Sequence, residues 1–385
     1  MSSASAMSRA RAWLEIVRIS NAPTVVSNAI AGAVLGTIAR IVEDDGGLGG
    51  VFAGGIPYRA GDDAPSSTAV LAALIAPLLA YLGGMVLNDA FDSAVDARER
   101  PARPIPSGRI ARSLAFAAGF ALLAGAMLAS TLLAPMALAA TVLLCGAIVV
   151  YDRFHTKSVA STMLLALCRA LASLIPMLAM SDGDIEMLAR RGALALPLAL
   201  AAWTLGLSIV ARSEAKAIQA SDDRPRLLGC IRCGQLMPSE AGTCPECGSG
   251  SDHAARMARL DRRRQPTSIL RGIVPMAGTL AILAALLVAL TTVMHHGGRS
   301  RHDPLEKLPP LGVAIAIVCI ALSSRALIAM RRDPRATPAA VGTWIACLAL
   351  VDAMALGIAG AWLASAACVG LAGWTLLLQR RIAGS

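Results

Sequence analysis

Asn88-Asp89-Ala90-Phe91-Asp92-Ser93-Ala94-Val95-Asp96 and the segment that follows it, Ala97-Arg98-Glu99-Arg100-Pro101-Ala102-Arg103-Pro104-Ile105-Pro106-Ser107-Gly108-Arg109-Ile110, stand where an apolar run meets a basic loop. If the run continues as a helix, Asp89, Asp92 and Asp96 are spaced i, i+3, i+7 and fall within about 60° of one another on its surface. Three carboxylates on one face repel each other unless a cation offsets them. Hard oxygen ligands of this kind suit Mg²⁺, which keeps several waters and shares its shell with substrate phosphates. Arg98, Arg100, Arg103 and Arg109 follow at once, and guanidinium groups pair with phosphate oxygens in a forked geometry. The three prolines stop the helix and fold the loop back. The segment therefore reads as a place to hold a metal diphosphate, against the blander reading of a solvated, charged helix end. Ionisable residues at a membrane span favour the functional reading.

Working outward, 56% of the residues are hydrophobic and only 16% are charged, with a mean hydropathy of +0.63. That is the composition of a polytopic membrane protein and not of a water-soluble core. Aromatic residues make up only 3% of the chain, so span ends are read from charge and not from aromatic belts. The net charge of +10 reflects Lys and Arg held in cytoplasmic loops and drawn to anionic lipid. Arg9, Arg11 and Arg18 precede the first apolar run, which reads as a retained span with the N-terminus in the cytoplasm.

Spans are expected at about 23–42, 68–87, 111–133, 136–150, 160–180 and 193–210, then at 268–293 and 311–330. The last apolar stretch, 339–378, is too long for one pass and has breaks near Gly357 and Gly360. The fold class is all-α, a polytopic bundle of nine to ten transmembrane helices. Asn21 and Asn28 interrupt the first span and are candidates for a cavity wall or a helix contact. Arg169 lies in an otherwise apolar span and needs a partner, which the carboxylates or the diphosphate could provide, with a structural ion pair as the competing reading. Asp352 reads as a polar contact between helices or as a residue close to the outer interface, and is not assigned to the site.

A polar insert, 222–265, separates membrane segments 1–221 and 266–385. It holds Cys230-Ile-Arg-Cys233-Gly and Cys244-Pro-Glu-Cys247-Gly, and two such knuckles place four thiolates in reach of one tetrahedral Zn²⁺. So small a module has little core and depends on the metal for its fold. The remaining five cysteines, Cys145, Cys168, Cys319, Cys347 and Cys368, lie in apolar runs and read as core residues. Arg256, Arg259, Arg262, Arg263 and Arg264 follow the knuckles and suit an anionic membrane surface. A stretch without interleaved aromatics disfavours nucleic-acid binding.

The motif Asn88 to Asp96 with Arg103-Pro-Ile-Pro-Ser-Gly108 resembles the UbiA superfamily of intramembrane prenyltransferases. Tyr151-Asp-Arg-Phe-His-Thr-Lys157, Cys168-Arg169-Ala170 and Ala211-Arg212-Ser213-Glu214 look similar to its EboC-like branch. The resemblance implies an Mg²⁺-dependent enzyme of a bacterial-type inner membrane. Such an enzyme moves an isoprenyl group from an isoprenyl diphosphate to an aromatic or lipid-like acceptor. Asn88, Asp89, Asp92 and Asp96 would hold the metal diphosphate, and Arg103, Arg109 and Lys157 the leaving pyrophosphate. Tyr151, Arg153, Arg169, Asn21 and Asn28 would line the substrate site. Most relatives carry a second motif, D-x-x-x-D, at the end of the sixth span, where this chain has only Arg212 and Glu214. That departure keeps open a catalytically silent lipid-binding protein, or an anchored module whose zinc insert recruits a cytoplasmic partner.

Overall fold

The structure is a computed structural model that describes residues 3–45, 52–53, 56–57, 65–154, 159–222, 227–229, 236–238, 247–248, 310–332 and 336–381. Among these residues the chain is all-α apart from two short hairpins. The helices are α1 (Ser3–Ile16), α2 (Ala22–Asp45), α3 (Ser67–Glu99), α4 (Arg112–Ser130), α5 (Pro135–Phe154) and α6 (Val159–Met180). They continue with α7 (Ile185–Arg190), α8 (Ala195–Asp222), α9 (Pro310–Arg332), α10 (Thr337–Ile358) and α11 (Trp362–Arg381). The hairpins pair β1 (Phe52–Ala53) with β2 (Ile56–Pro57) and β3 (Leu227–Gly229) with β4 (Leu236–Pro238).

Eight of these helices are long and apolar enough to cross a membrane, and α8 has a shorter apolar segment over Ala195–Ala211. The chain is an integral, multi-pass membrane protein. The span expected at 268–293 lies outside the described residues. The long C-terminal apolar stretch divides as its glycines suggest. α10 ends at Ile358, Gly360 takes φ +86° and α11 begins at Trp362. Glycine adopts that left-handed backbone without the Cβ clash other residues meet.

α3 does not stop where the apolar run ends. It starts at an N-cap, with Ala69 N–H donating to Ser66 Oγ at 3.2 Å, and runs on to Glu99, so all three aspartates lie on regular helix. The loop that follows is anchored from within. Ile105 and Ile110 pack with Ala12 and Ile16 of α1 and with Val86 and Ala90 of α3, which holds the arginine-bearing turn against the helix end.

α2 and α10 are the most enclosed spans, whereas α4, α9 and α11 turn large apolar side chains such as Leu128, Ile317 and Leu377 outward. Apolar side chains facing out are what lipid requires. α2 crosses α6 at close range through its small residues: an added Cβ at Gly32 would meet the Ser173 carbonyl and one at Gly36 the Met177 carbonyl. Indole hydrogen bonds tie the other side of the bundle. Trp203 Nε1 of α8 donates to the Trp344 carbonyl at 3.0 Å, and Trp344 Nε1 donates to the Ser323 carbonyl of α9 at 3.4 Å.

Gly32→Val is expected to destabilise the bundle by about 1–3 kcal/mol, the usual cost of overpacking. Gly146→Ala, where an added Cβ meets nothing within 4 Å, is expected to change stability by less than about 0.5 kcal/mol. Unfolding of the purified protein in detergent micelles measures both.

Candidate active site

At the end of α3 the carboxylates do not share an equal environment. Asp89 and Asp96 are buried, at 5% exposure each, while Asp92 is half-buried. Arg103 comes back from the proline-rich loop to lie between the two buried acids. Its Nη1 donates to Asp96 Oδ2 at 2.7 Å and to Asp89 Oδ1 at 3.4 Å. The guanidinium is itself only 6% exposed. Opposite charges removed from water in this way need direct pairing, because neither would be tolerated alone.

A second guanidinium reaches the cluster from the turn between α1 and α2. Arg18 Nη2 donates to Asn88 Oδ1 at 3.3 Å and to Asp89 Oδ1 at 3.4 Å. Its backbone is left-handed, with φ 47°, and its carbonyl accepts a hydrogen bond from the Tyr81 hydroxyl at 3.0 Å. A non-glycine residue in this conformation persists only where its surroundings impose it. Asn88 Nδ2 in turn donates to Asp152 Oδ1 of α5 at 3.2 Å. Asn88 therefore joins Arg18 on one side to a third buried carboxylate on the other.

Arg18 and Asp152 of this network border a cavity of about 210 Å³ walled by α2, α3, α5, α6, α8 and α10. Arg18, Asn21, Tyr81, Tyr151, Asp152, Arg169 and Thr204 supply its polar surface, and residues such as Leu144, Ile148, Leu207 and Leu348 supply an apolar one. On the α2 side Arg169 Nη1 donates to Asn28 Oδ1 at 2.9 Å and to Thr24 Oγ1 at 3.4 Å. Asn28 Nδ2 and Ser27 Oγ donate to Asp352 Oδ2 at 2.7 and 2.6 Å. The partner of Arg169 is thus a neutral amide, with a carboxylate one residue further on. Asp352 is a contact between helices, one of the two readings its position allows. Asn21 lines the cavity and accepts from Gln379 Nε2 of α11 at 3.1 Å.

Not every sequence candidate converges here. Arg109 pairs with Glu15 of α1 at 3.0 Å and donates to the Ala102 carbonyl at 2.7 Å, so it braces the loop and does not face the carboxylates. Arg153 is exposed and lies over the Phe154 ring, 5.2 Å from its centroid. Lys157, Cys230, Cys233 and Cys244 lie outside the described residues. Arg212 and Glu214 stand on the last turns of α8, where the described residues give the helix and not its side chains. Cys247 is half-buried. The structure adds Arg18, Tyr81, Asp152 and Thr204. Of these, Asp152 had a visible signal, an acid at the end of an apolar run beside two residues already singled out.

The donor set fits Mg²⁺ in kind, being hard carboxylate and amide oxygen from Asn88, Asp89, Asp92 and Asp96. Among the described residues no group of three or more His, Cys, Asp or Glu side chains forms a ready metal cage. Mg²⁺ with a phosphate ligand needs only one or two protein carboxylates, the remaining positions going to phosphate and water. Removing Arg103 as Arg103→Met should cost about 3–5 kcal/mol of stability, the usual penalty for stranding a buried charge. Adding Asp96→Asn should recover part of it, and a double-mutant cycle of unfolding free energies checks the coupling.

Residues 49–226 match the UbiA prenyltransferase family. The digeranylgeranylglyceryl phosphate synthase of Methanoregula boonei is 47% identical over 53 residues, 14% of this chain and 19% of its own length. That of Ignicoccus hospitalis is 32% identical over 157 residues, 41% of this chain and 42% of its own length. The chain thus spans less than half the length of these curated relatives. A solved structure described as digeranylgeranylglyceryl phosphate synthase in membranes shares the fold, with a TM-score of 0.52 at 15% identity over 92% of this chain and 99% of that one. The chain is thus similar to UbiA prenyltransferases over part of its sequence and to the solved synthase in its fold.

Proposed function

We propose that the protein is a membrane prenyltransferase, moving an isoprenyl group from an isoprenyl diphosphate to an aromatic or lipid-like acceptor. The observation that carries this reading is the carboxylate face of α3, with Arg18 and Arg103 bonded to it and Arg18 also lining a largely apolar cavity. The relatives found by sequence are named for making a glyceryl phosphate with two geranylgeranyl groups, which is itself a prenylated product.

Asp89, Asp92 and Asp96, with Asn88, are the residues that would hold Mg²⁺ on the diphosphate. Bound there, Mg²⁺ supplies positive charge that stabilises the leaving pyrophosphate. Arg18 and Arg103 would add donors to the same oxygens, and Lys157, Arg212 and Glu214 are assigned to the rim around them. Asn88, held between Arg18 and Asp152, keeps this end of α3 in register with α5. As the allylic C–O bond breaks, the electron pair leaves with pyrophosphate. The acceptor's nucleophile bonds to the freed carbon and gives up its proton to solvent. The apolar wall keeps water from competing for that carbon.

The segment 222–265 is assigned as an accessory zinc module in the loop between membrane segments 1–221 and 266–385. Cys230, Cys233, Cys244 and Cys247 would be its four ligands. Two features support the assignment. The paired strands β3 and β4 flank positions 230–235, where the first knuckle falls, and Gly248, directly after Cys247, takes φ +67°. A cytoplasmic protein partner for this module is part of the same proposal.

Purified protein should release pyrophosphate from an isoprenyl diphosphate in an Mg²⁺-dependent way when a membrane lipid extract supplies the acceptor. Asp92→Asn should lower the rate by about 10²-fold or more, as removal of a charge-stabilising group does. Tight Mg²⁺-dependent binding without release, however many acceptors are tried, would favour a lipid-binding protein, the reading to which the lone Glu214 on α8 points. Absence of both would end the prenyl-transfer reading. Metal analysis of the intact protein should find one zinc per chain, lost in Cys244→Ser with Cys247→Ser.

A further inference from the structure

The cavity has a polar end that the diphosphate reading leaves unused. Asn88, Asp89 and Asp96 occupy the last turns of α3. Tyr81, which lies in electrostatic range of both Arg18 and Arg169, sits about two turns further in. Arg169 therefore lies deeper along α3 than the carboxylates, which meet the cavity through Arg18.

Its orientation is set by a chain of three side chains. Asp352 is fully buried and accepts from Ser27 and Asn28 through Oδ2. A carboxylate accepts and does not donate, so the amide nitrogen of Asn28 must face it and the amide oxygen must face Arg169. That oxygen, with Thr24 Oγ1, takes up Nη1 alone. Among the described residues, Nε and Nη2 of Arg169 donate to no protein group, and the side chain lines the cavity. Those two nitrogens are one fork of a guanidinium, the edge that matches a carboxylate or phosphate in two parallel hydrogen bonds. Thr204 of α8 lines the same cavity. It is 4% exposed, and among the described residues its hydroxyl has no hydrogen-bond partner. A buried hydroxyl left without a partner costs free energy until a ligand supplies one. Leu165, Leu207 and Leu348 make the adjoining wall apolar, which strengthens a charge-assisted contact made there.

We propose that Arg169 and Thr204 form a second subsite for an oxyanion, a carboxylate or phosphate group carried by the acceptor, and that Asp352 is its positioning residue, acting through Asn28. The inference rests on the prenyl-transfer reading and narrows it. The acceptor is an acid whose charged group is read at the inner end of the cavity, which leaves its nucleophile toward the diphosphate. A neutral acceptor would leave the Arg169 fork and the Thr204 hydroxyl unpaired, a source of strong discrimination.

The test uses the full chain in lipid nanodiscs and three probes of equal length, hexanoate, monohexyl phosphate and hexanol, titrated calorimetrically. Farnesyl S-thiolodiphosphate with Mg²⁺ reports the other end of the cavity. At least one of the two anions should bind, and hexanol should not. Arg169→Met and Arg169→Lys, which lose the fork, should weaken anion binding by about 10- to 100-fold. Asp352→Asn should weaken it by about tenfold. All three variants should keep the Mg²⁺-dependent affinity for the thiolodiphosphate, which also shows that they are folded. A preference for hexanoate assigns a carboxylic acid acceptor and a preference for hexyl phosphate a phosphate-bearing lipid. Unchanged anion affinity in both Arg169 variants, or hexanol binding as tightly as the anions, would overturn the proposal. If the wild type fails to bind the thiolodiphosphate with Mg²⁺, it is the prenyl-transfer reading that falls, and the anion titrations still report on Arg169 by themselves.

Discussion

Charge brought out of water has to be met by charge, and at the end of α3 one side chain meets most of it. Arg103 lies between Asp89 and Asp96, buried with them, at hydrogen-bond distance from both. Its position links three levels of the structure. The prolines of the loop return the chain toward the helix, and Ile105 and Ile110 pin the return against α1 and α3. The guanidinium then allows carboxylates to face inward from a membrane helix at all. Without it, two acids seven residues apart on one helical face would repel each other in a setting of low polarity. Because the pair is built from a loop and a helix, the loop conformation and the charge state of the site are one problem for the fold, not two.

The inner network obeys a different economy of charge. Arg169 and Asp352 do not touch; Asn28 stands between them with its amide turned so that each end meets the sign it can bond. An amide in this position passes on orientation without using up the guanidinium. A direct ion pair would have held Arg169 more firmly and closed its fork to a ligand. The two ends of the cavity are thus arranged in contrasting ways, with guanidiniums engaged on carboxylates at the rim and a guanidinium held by neutral oxygens inside.

The aspartate face was legible because a helix has a fixed period: once the apolar run was read as a span, i, i+3 and i+7 placed three carboxylates together. The break at Gly360 was legible for a similar reason, since the apolar stretch exceeds the thickness a single pass can use. What local pattern does not encode is which distant groups meet. Arg103 could be read as an anion-binding arginine, but spacing alone does not show that it turns back on Asp96. Arg109, of the same type in the same loop, instead finds Glu15. Arg18 read as one charge of a basic tail, and its part in the site depends on a left-handed turn and on Tyr81, neither visible in composition. Asp152 stands between Tyr151 and Arg153 in a segment whose charge pattern reads as a basic loop, which hides its carboxylate. Asp352 announced itself as a buried acid in an apolar helix, yet its partners Ser27 and Asn28 lie more than three hundred positions away.

That separation bears on how the protein is made. The helix carrying Asp352 is synthesised long after the one that carries Ser27 and Asn28. An acid in the central part of an apolar helix costs about 2.5–3.5 kcal/mol on the scale of membrane insertion. α10 is otherwise apolar enough to enter a bilayer, with a hydropathy of 1.9, but its carboxylate is satisfied only when it docks on α2. During biogenesis the first span must therefore wait in the membrane with the Ser27 hydroxyl and the Asn28 amide nitrogen lacking their carboxylate until the tenth described helix arrives. Closure of the bundle by its C-terminal part is then the event that converts an exposed polar stripe into a finished cavity wall. A chain truncated before α10 would leave that stripe facing lipid, which offers quality control in the membrane a chemical mark by which to recognise an incomplete copy.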